Sequence, residues 1–175
     1  MSDTVNEMQK RMSRKIYLGH RRVIIVGEEL AKHGIKEIFD ETSRMPETRM
    51  TTYLIVAKGK AIDLLSAKPD LERFSGEALR ELVKSKQVIT ANLKNAAEAI
   101  NRTGSDTFIP YVELKTVRVG TTVKKELNFI GYAQFYDDKM VGAFTGNSAT
   151  ALMWLTPNQW PGRVTLELKK GKRAT

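Results

Sequence analysis

The sequence predicts an α+β fold, and three features of its patterning carry that prediction. Val23, Ile24, Ile25 and Val26 form a continuous β-branched run with no polar face, the pattern of a strand covered on both sides. Leu93, Ala96, Ala97 and Ile100 recur at i, i+3, i+4 and i+7, the spacing of one helix face. From Thr107 to Phe144 apolar and polar residues alternate between short turns, as in an antiparallel meander. Mixed or antiparallel sheets with packed helices, arranged as two small modules, accommodate all three.

Taken in order, Val5, Met8, Met12 and Ile16 lie at helical spacing among basic and polar residues, so residues 3–15 are expected to form an amphipathic helix whose apolar face rests on the sheet. The β-branched strand follows and ends at Gly27. Glu28 and Glu29 suit the first turn of a helix, and Gly34 lets the chain leave it. Ile35, Ile38 and Phe39 mark a second short helix, and Pro46 sits in a loop. Met50 to Ala57 is nearly uninterrupted apolar sequence and predicts a second strand. Residues 60–68 predict a short helix with Ala61, Leu64 and Leu65 inward, stopped by Pro69.

Ser75 between Phe74 and Leu79 has the form of an N-cap with a hydrophobic staple, opening a helix to about Lys86. Thr90 is expected to cap the next helix and Gly104 to close it. In the meander, Leu127, Phe129, Gly131, Ala133 and Phe135 are expected to share one face, and Asn128, Ile130, Tyr132, Gln134 and Tyr136 the other. Gly131 and Gly142 mark bulges or close backbone approach. Asn147 is expected to cap a last helix, with Phe129, Phe135, Trp154 and Leu155 as the core of the second half. Val164, Leu166 and Leu168 suggest a final strand before a basic tail. The division expected is a partial module at 1–68, a connecting helix at 69–89, a second module with the meander at 90–168, and a tail at 169–175. Residues 1–68 hold no third strand to flank the two apolar ones, so that sheet is expected to be incomplete.

At 175 residues with 41% apolar content the chain has enough material for an ordinary core. It has no cysteine, which excludes disulfides, thiolate metal sites and a cysteine nucleophile. The net charge of +9 is concentrated at the ends. Residues 1–22 hold six basic and two acidic groups, and residues 163–175 five and one, so the interior is nearly neutral. Solvated termini explain that distribution better than a basic groove; a basic module binding nucleic acid or an anionic surface is the alternative.

Chemistry is sparse. His20 and His33 are the only histidines, with no metal-binding spacing and no nucleophile beside them. The acidic pairs Glu28-Glu29, Asp40-Glu41 and Asp137-Asp138 fall at helix ends and a turn, where capping explains them better than acid–base catalysis. Gly27 lies between strand and helix, but no phosphate-binding glycine motif surrounds it. No catalytic, cofactor-binding or metal-ligating residue is therefore assigned, no cofactor is expected, and the chain reads as non-enzymatic.

Gly19-His20, the apolar strand, Gly27-Glu28-Glu29-Leu30-Ala31 and Gly34-Ile35 together resemble the Ger(x)C family, the C subunits of spore germinant receptors. Later segments match in order: Arg44-Met45-Pro46-Glu47-Thr48-Arg49, then Tyr53 to Ala61, then the hairpin from Gly131 to Gly142. The resemblance implies a lipoprotein that works in spore germination with two integral-membrane partners, the A and B subunits, and that responds to nutrients. It implies a location on the outer face of the spore inner membrane, held by a lipid anchor absent from this chain, and no nucleic-acid partner. On the same resemblance the sequence looks like an internal fragment lacking the N-terminal lipobox region and the C-terminal domain.

Overall fold

The computed structural model describes residues 7–14, 21–45, 49–67, 74–84, 89, 91–102 and 106–155. After a helical turn at residues 7–10, the described elements run β1 (Val23–Gly27), α1 (Glu28–His33), α2 (Lys36–Ser43), β2 (Tyr53–Ala57), α3 (Ala61–Leu65), α4 (Ser75–Lys84), α5 (Leu93–Ile100), β3 (Thr107–Val119), β4 (Thr122–Tyr136), β5 (Lys139–Thr145) and α6 (Asn147–Leu155). The fold is α+β. The strands form one five-stranded sheet in the order β1-β2-β3-β4-β5. The first two pairings are parallel and the last two antiparallel.

Helices cover both faces. On one, α1, α2 and α5 bring Ala31, Phe39, Leu93 and Ala96 against Ile24, Val26, Leu54, Val56, Ile109 and Phe135. On the other, α3 and α4 bring Leu64, Leu79 and Val83 against Ile55, Ala57 and Val112, and α6 adds Ala149 and Leu152 around Tyr132. Leu54, Ile55, Val56 and Ala57 are all fully buried, which is why β2 is apolar on successive residues rather than alternate ones. Tyr132 is buried because its hydroxyl has a partner: it accepts from the Ile89 N–H at 2.9 Å, and burial raises the pKa of the phenol.

Several expectations change. β2 is not short of a neighbour, because β3 supplies one: Val56 pairs with Tyr111 and Ala57 with Val112. The sheet thus runs across the expected division near residue 90, and β1, not β2, lies at its edge. In β4 the expected alternation breaks at a bulge. Tyr111 pairs with Gly131 but Val112 pairs with Phe129, leaving Ile130 as an extra residue. One inserted residue reverses which face the following side chains occupy. Leu127 and Phe129 therefore pack with the α3 and α4 cluster, while Ala133 and Phe135 pack with α5 on the opposite face. Met8, Met12 and Leu65 are about half exposed and are not part of the buried core that their spacing predicts. Trp154 and Leu155 are exposed as well, and neither belongs to the core around Phe135.

The caps also differ. Ser75 is the first residue of α4, and its hydroxyl donates to the Leu65 carbonyl at 2.9 Å, tying α4 to the end of α3. Thr90 and Gly104 lie outside the described residues. Asn92 caps α5, its side chain accepting from the Asn95 N–H at 2.8 Å. Asn147 begins α6 as its first residue, and it is Ser148 whose hydroxyl accepts from the Thr145 N–H. The strand expected at Val164 to Leu168 and the basic tail fall outside the described residues.

Helix α2 has no side-chain cap of its own, since Ile35 occupies that position. The cap comes from the β4–β5 turn. Asp138 accepts from the Lys36 N–H through Oδ2 at 3.3 Å and from the Ile35 N–H through its carbonyl at 2.9 Å. The approach requires a glycine before Ile35: Gly34 has φ +133°, and a Cβ there would lie 2.5 Å from Asp138 Oδ2. Replacing Asp138 by alanine is expected to lower stability by about 0.5–2 kcal/mol, the usual cost of a lost cap. Urea denaturation monitored by circular dichroism checks this, and an unchanged midpoint would show that the contact contributes nothing.

Candidate functional site

The residues weighed from sequence do not converge. His33 donates from Nδ1 to the Glu29 carbonyl one turn back at 2.7 Å, a local contact on an exposed helix end. His20 lies outside the described residues. Asp40 offers its carbonyl to the Ser43 hydroxyl, and Asp138 is the cap already described. Among the described residues no group of three or more His, Asp or Glu is placed to hold a metal ion. Among them, too, no helix is long and apolar enough to cross a membrane.

Parallel sheets commonly bind ligands beyond the carboxyl ends of their strands. Here that end is closed by mutually satisfied polar groups. The Glu28 N–H donates to the Gly59 carbonyl at 3.0 Å, and the Gly59 N–H returns to Glu28 Oε2 at 3.1 Å. Lys32 pairs with Glu28 at 2.8 Å and holds its carboxyl below the usual range; partial burial opposes this, and Gly59 and the Tyr111 hydroxyl assist it. Burial, with Glu28 beside it, pushes the phenol of Tyr111 well up. Lys58 reaches Glu113 at 3.0 Å and Asn128 donates to the same carboxylate at 3.1 Å; together they lower its pKa. The network latches the ends of β1, β2 and β3 together and leaves little polar capacity for a ligand.

The opposite end of the parallel strands is open. Arg21 and Arg22 lead into β1, Arg49 leads into β2, and Arg80 comes from α4; they line a cleft of about 320 Å³ together with Thr51, Thr52 and Tyr53. An adjoining hollow of about 490 Å³ runs past Gly76 and Glu77 at the start of α4. The arginine-bearing segments are fixed to each other by backbone contacts. The buried Thr52 hydroxyl lies 2.6 Å from the Arg49 carbonyl and 3.1 Å from the Arg21 carbonyl, and the Tyr53 N–H donates to Arg22 at 3.0 Å. Arg80 pairs with Glu77 at 2.8 Å and with Glu81 at 2.7 Å, and Arg22 lies 3.6 Å from Glu77. Sequence reading misses this cluster because its members come from three segments far apart in the chain, with Arg21 and Arg22 counted there as part of a basic terminus. Only the Glu77 to Arg80 spacing is visible locally.

Residues 1–114 match the family described as spore germination protein N-terminal domain. Among curated proteins, the chain is 30% identical over 177 aligned residues to YfkR of Bacillus subtilis (strain 168), a protein assigned by name to spore germination; the alignment covers 94% of this chain and 46% of YfkR. Among solved structures, the crystal structure of the GerBC protein superposes with a TM-score of 0.64 at 18% identity, over 94% of this chain and 46% of GerBC. The likeness to GerBC is one of fold. The chain spans a little under half the length of both relatives.

Proposed function

The chain belongs to the Ger(x)C family of spore germination proteins, and on that premise we propose that it serves as part of the C subunit of a nutrient germinant receptor. In this reading it acts beside the A and B membrane subunits, on the outer face of the spore inner membrane, as a component of a lipid-anchored subunit. Its contribution is assembly and binding rather than turnover. The observation that carries the reading is the family match over residues 1–114, which includes β1, β2, the helices between them and the first part of β3. The α+β fold shared with GerBC supports it. The engagement of Glu28, Glu113 and Asp138 in ion pairs and caps fits a role without acid–base chemistry.

The test is genetic and biochemical. In a spore-forming host whose other germinant receptor genes are removed, deleting this gene is expected to abolish germination in response to nutrients while leaving the response to a non-nutrient trigger intact. Cross-linking in spore membranes is expected to recover the A and B subunits with this protein. Spores that germinate normally in nutrients after the deletion would overturn the proposal.

A further inference from the structure

We propose that the arginine cleft at the amino ends of β1 and β2 is a binding site for a small phosphate-bearing anion. Four arginines line the cleft; Glu77 pairs with two of them, Arg22 and Arg80, and Glu81 pairs with Arg80. Arg49 in particular is exposed and has no acidic partner among the described residues. Cations gathered at one surface repel each other unless an anion joins them. The planar guanidinium fork fits tetrahedral oxyanions through paired hydrogen bonds, which a single carboxylate would use only in part.

The setting is preorganised. Arg21, Arg22 and Arg49 stand at strand entrances whose backbones are clamped by Thr52 and Tyr53, so the positions from which these side chains extend are fixed before a ligand arrives. The Thr51 side chain lines the same cleft and adds a hydroxyl donor. A volume of about 320 Å³ is roughly ten waters' share of liquid, enough for a phosphoryl group with a small body attached. Glu77 reaches both Arg22 and Arg80, and so competes with an incoming anion for the same donors. The site takes the phosphate group itself, whether free in a phosphomonoester or presented by a phospholipid head group.

Isothermal titration of the full chain with inorganic phosphate and with glycerol 3-phosphate is expected to give saturable one-to-one binding. Arg49→Gln and Arg22→Gln should each weaken it about tenfold, as loss of a charged hydrogen bond does. Arg118→Gln, at an exposed position on β3, should leave it unchanged. Glu77→Gln should tighten binding severalfold, a response that a purely structural arginine cluster would not show, and circular dichroism confirms that each variant folds. Sedimentation with phosphatidylglycerol vesicles separates the two sources. Vesicle binding that glycerol 3-phosphate displaces and Arg49→Gln loses would assign the head group, and titration without vesicle binding would assign the free anion. Absence of saturable binding to any of these probes, or binding by Arg49→Gln equal to that of the unaltered chain, would overturn the proposal.

Discussion

Truncating Phe135 to alanine is expected to lower stability by about 3–5 kcal/mol, the range for a large aromatic removed from a packed interior. Phe135 is fully buried, in a cluster with Ile109, Leu93 and Met140, and its strand pairs on both sides, with Thr107 and with Met140. Neighbours held in two sheet pairings have little freedom to collapse into the vacated space. The same truncation at Trp154, which is 38% exposed, should cost less, about 1–2 kcal/mol, because part of the indole already faces solvent. Chemical denaturation of both variants checks the contrast. Equal losses at the two positions would show that Trp154 is packed as tightly as Phe135.

Gly131→Ala is expected to be as damaging, by a different route. Gly131 has φ +147°, a conformation side chains rarely adopt, and a Cβ built there would lie 1.8 Å from the Phe144 carbonyl oxygen. Backbone strain of that kind costs roughly 1–3 kcal/mol by itself. The collision is with the backbone of β5, so relieving it means moving the strand. The combined loss should exceed about 3 kcal/mol, with the damage concentrated between β4 and β5. Amide exchange should show β5 losing protection well before β2 does. A variant with unaltered melting temperature and exchange pattern would contradict the close approach.

The elements were legible where the physics is local. The apolar runs at Val23 and Tyr53, the helix through Leu93 and Ala96, and the hairpin turning at Asp137 all follow from spacing or turn chemistry within a few residues. What was not legible depends on distant partners. The parallel pairing of β2 with β3 joins Val56 to Tyr111, and nothing in either strand's pattern names the other. The bulge at Ile130 follows from a two-against-one pairing, and it reverses the faces of Leu127 and Phe129 without changing their alternation in sequence. The cap on α2 comes from a residue 102 positions away. The arginine cleft was hidden for the same reason, since Arg22, Arg49 and Arg80 meet only after the strands and α4 are in place.

The place of β2 between β1 and β3 also sets the order in which this protein can be completed on the ribosome. Its four fully buried residues, Leu54 to Ala57, are covered on one edge by β1, already made, but on the other by a strand whose pairing residue, Val112, is synthesised 55 residues after Ala57. At usual elongation rates of about 5–20 residues per second that interval is roughly 3–11 s. For that time the most apolar strand of the protein is exposed along one side, ready to pair with another nascent chain. The helices made in the interval, α3 and α4, pack over one face of β2 and can shield it before β3 arrives.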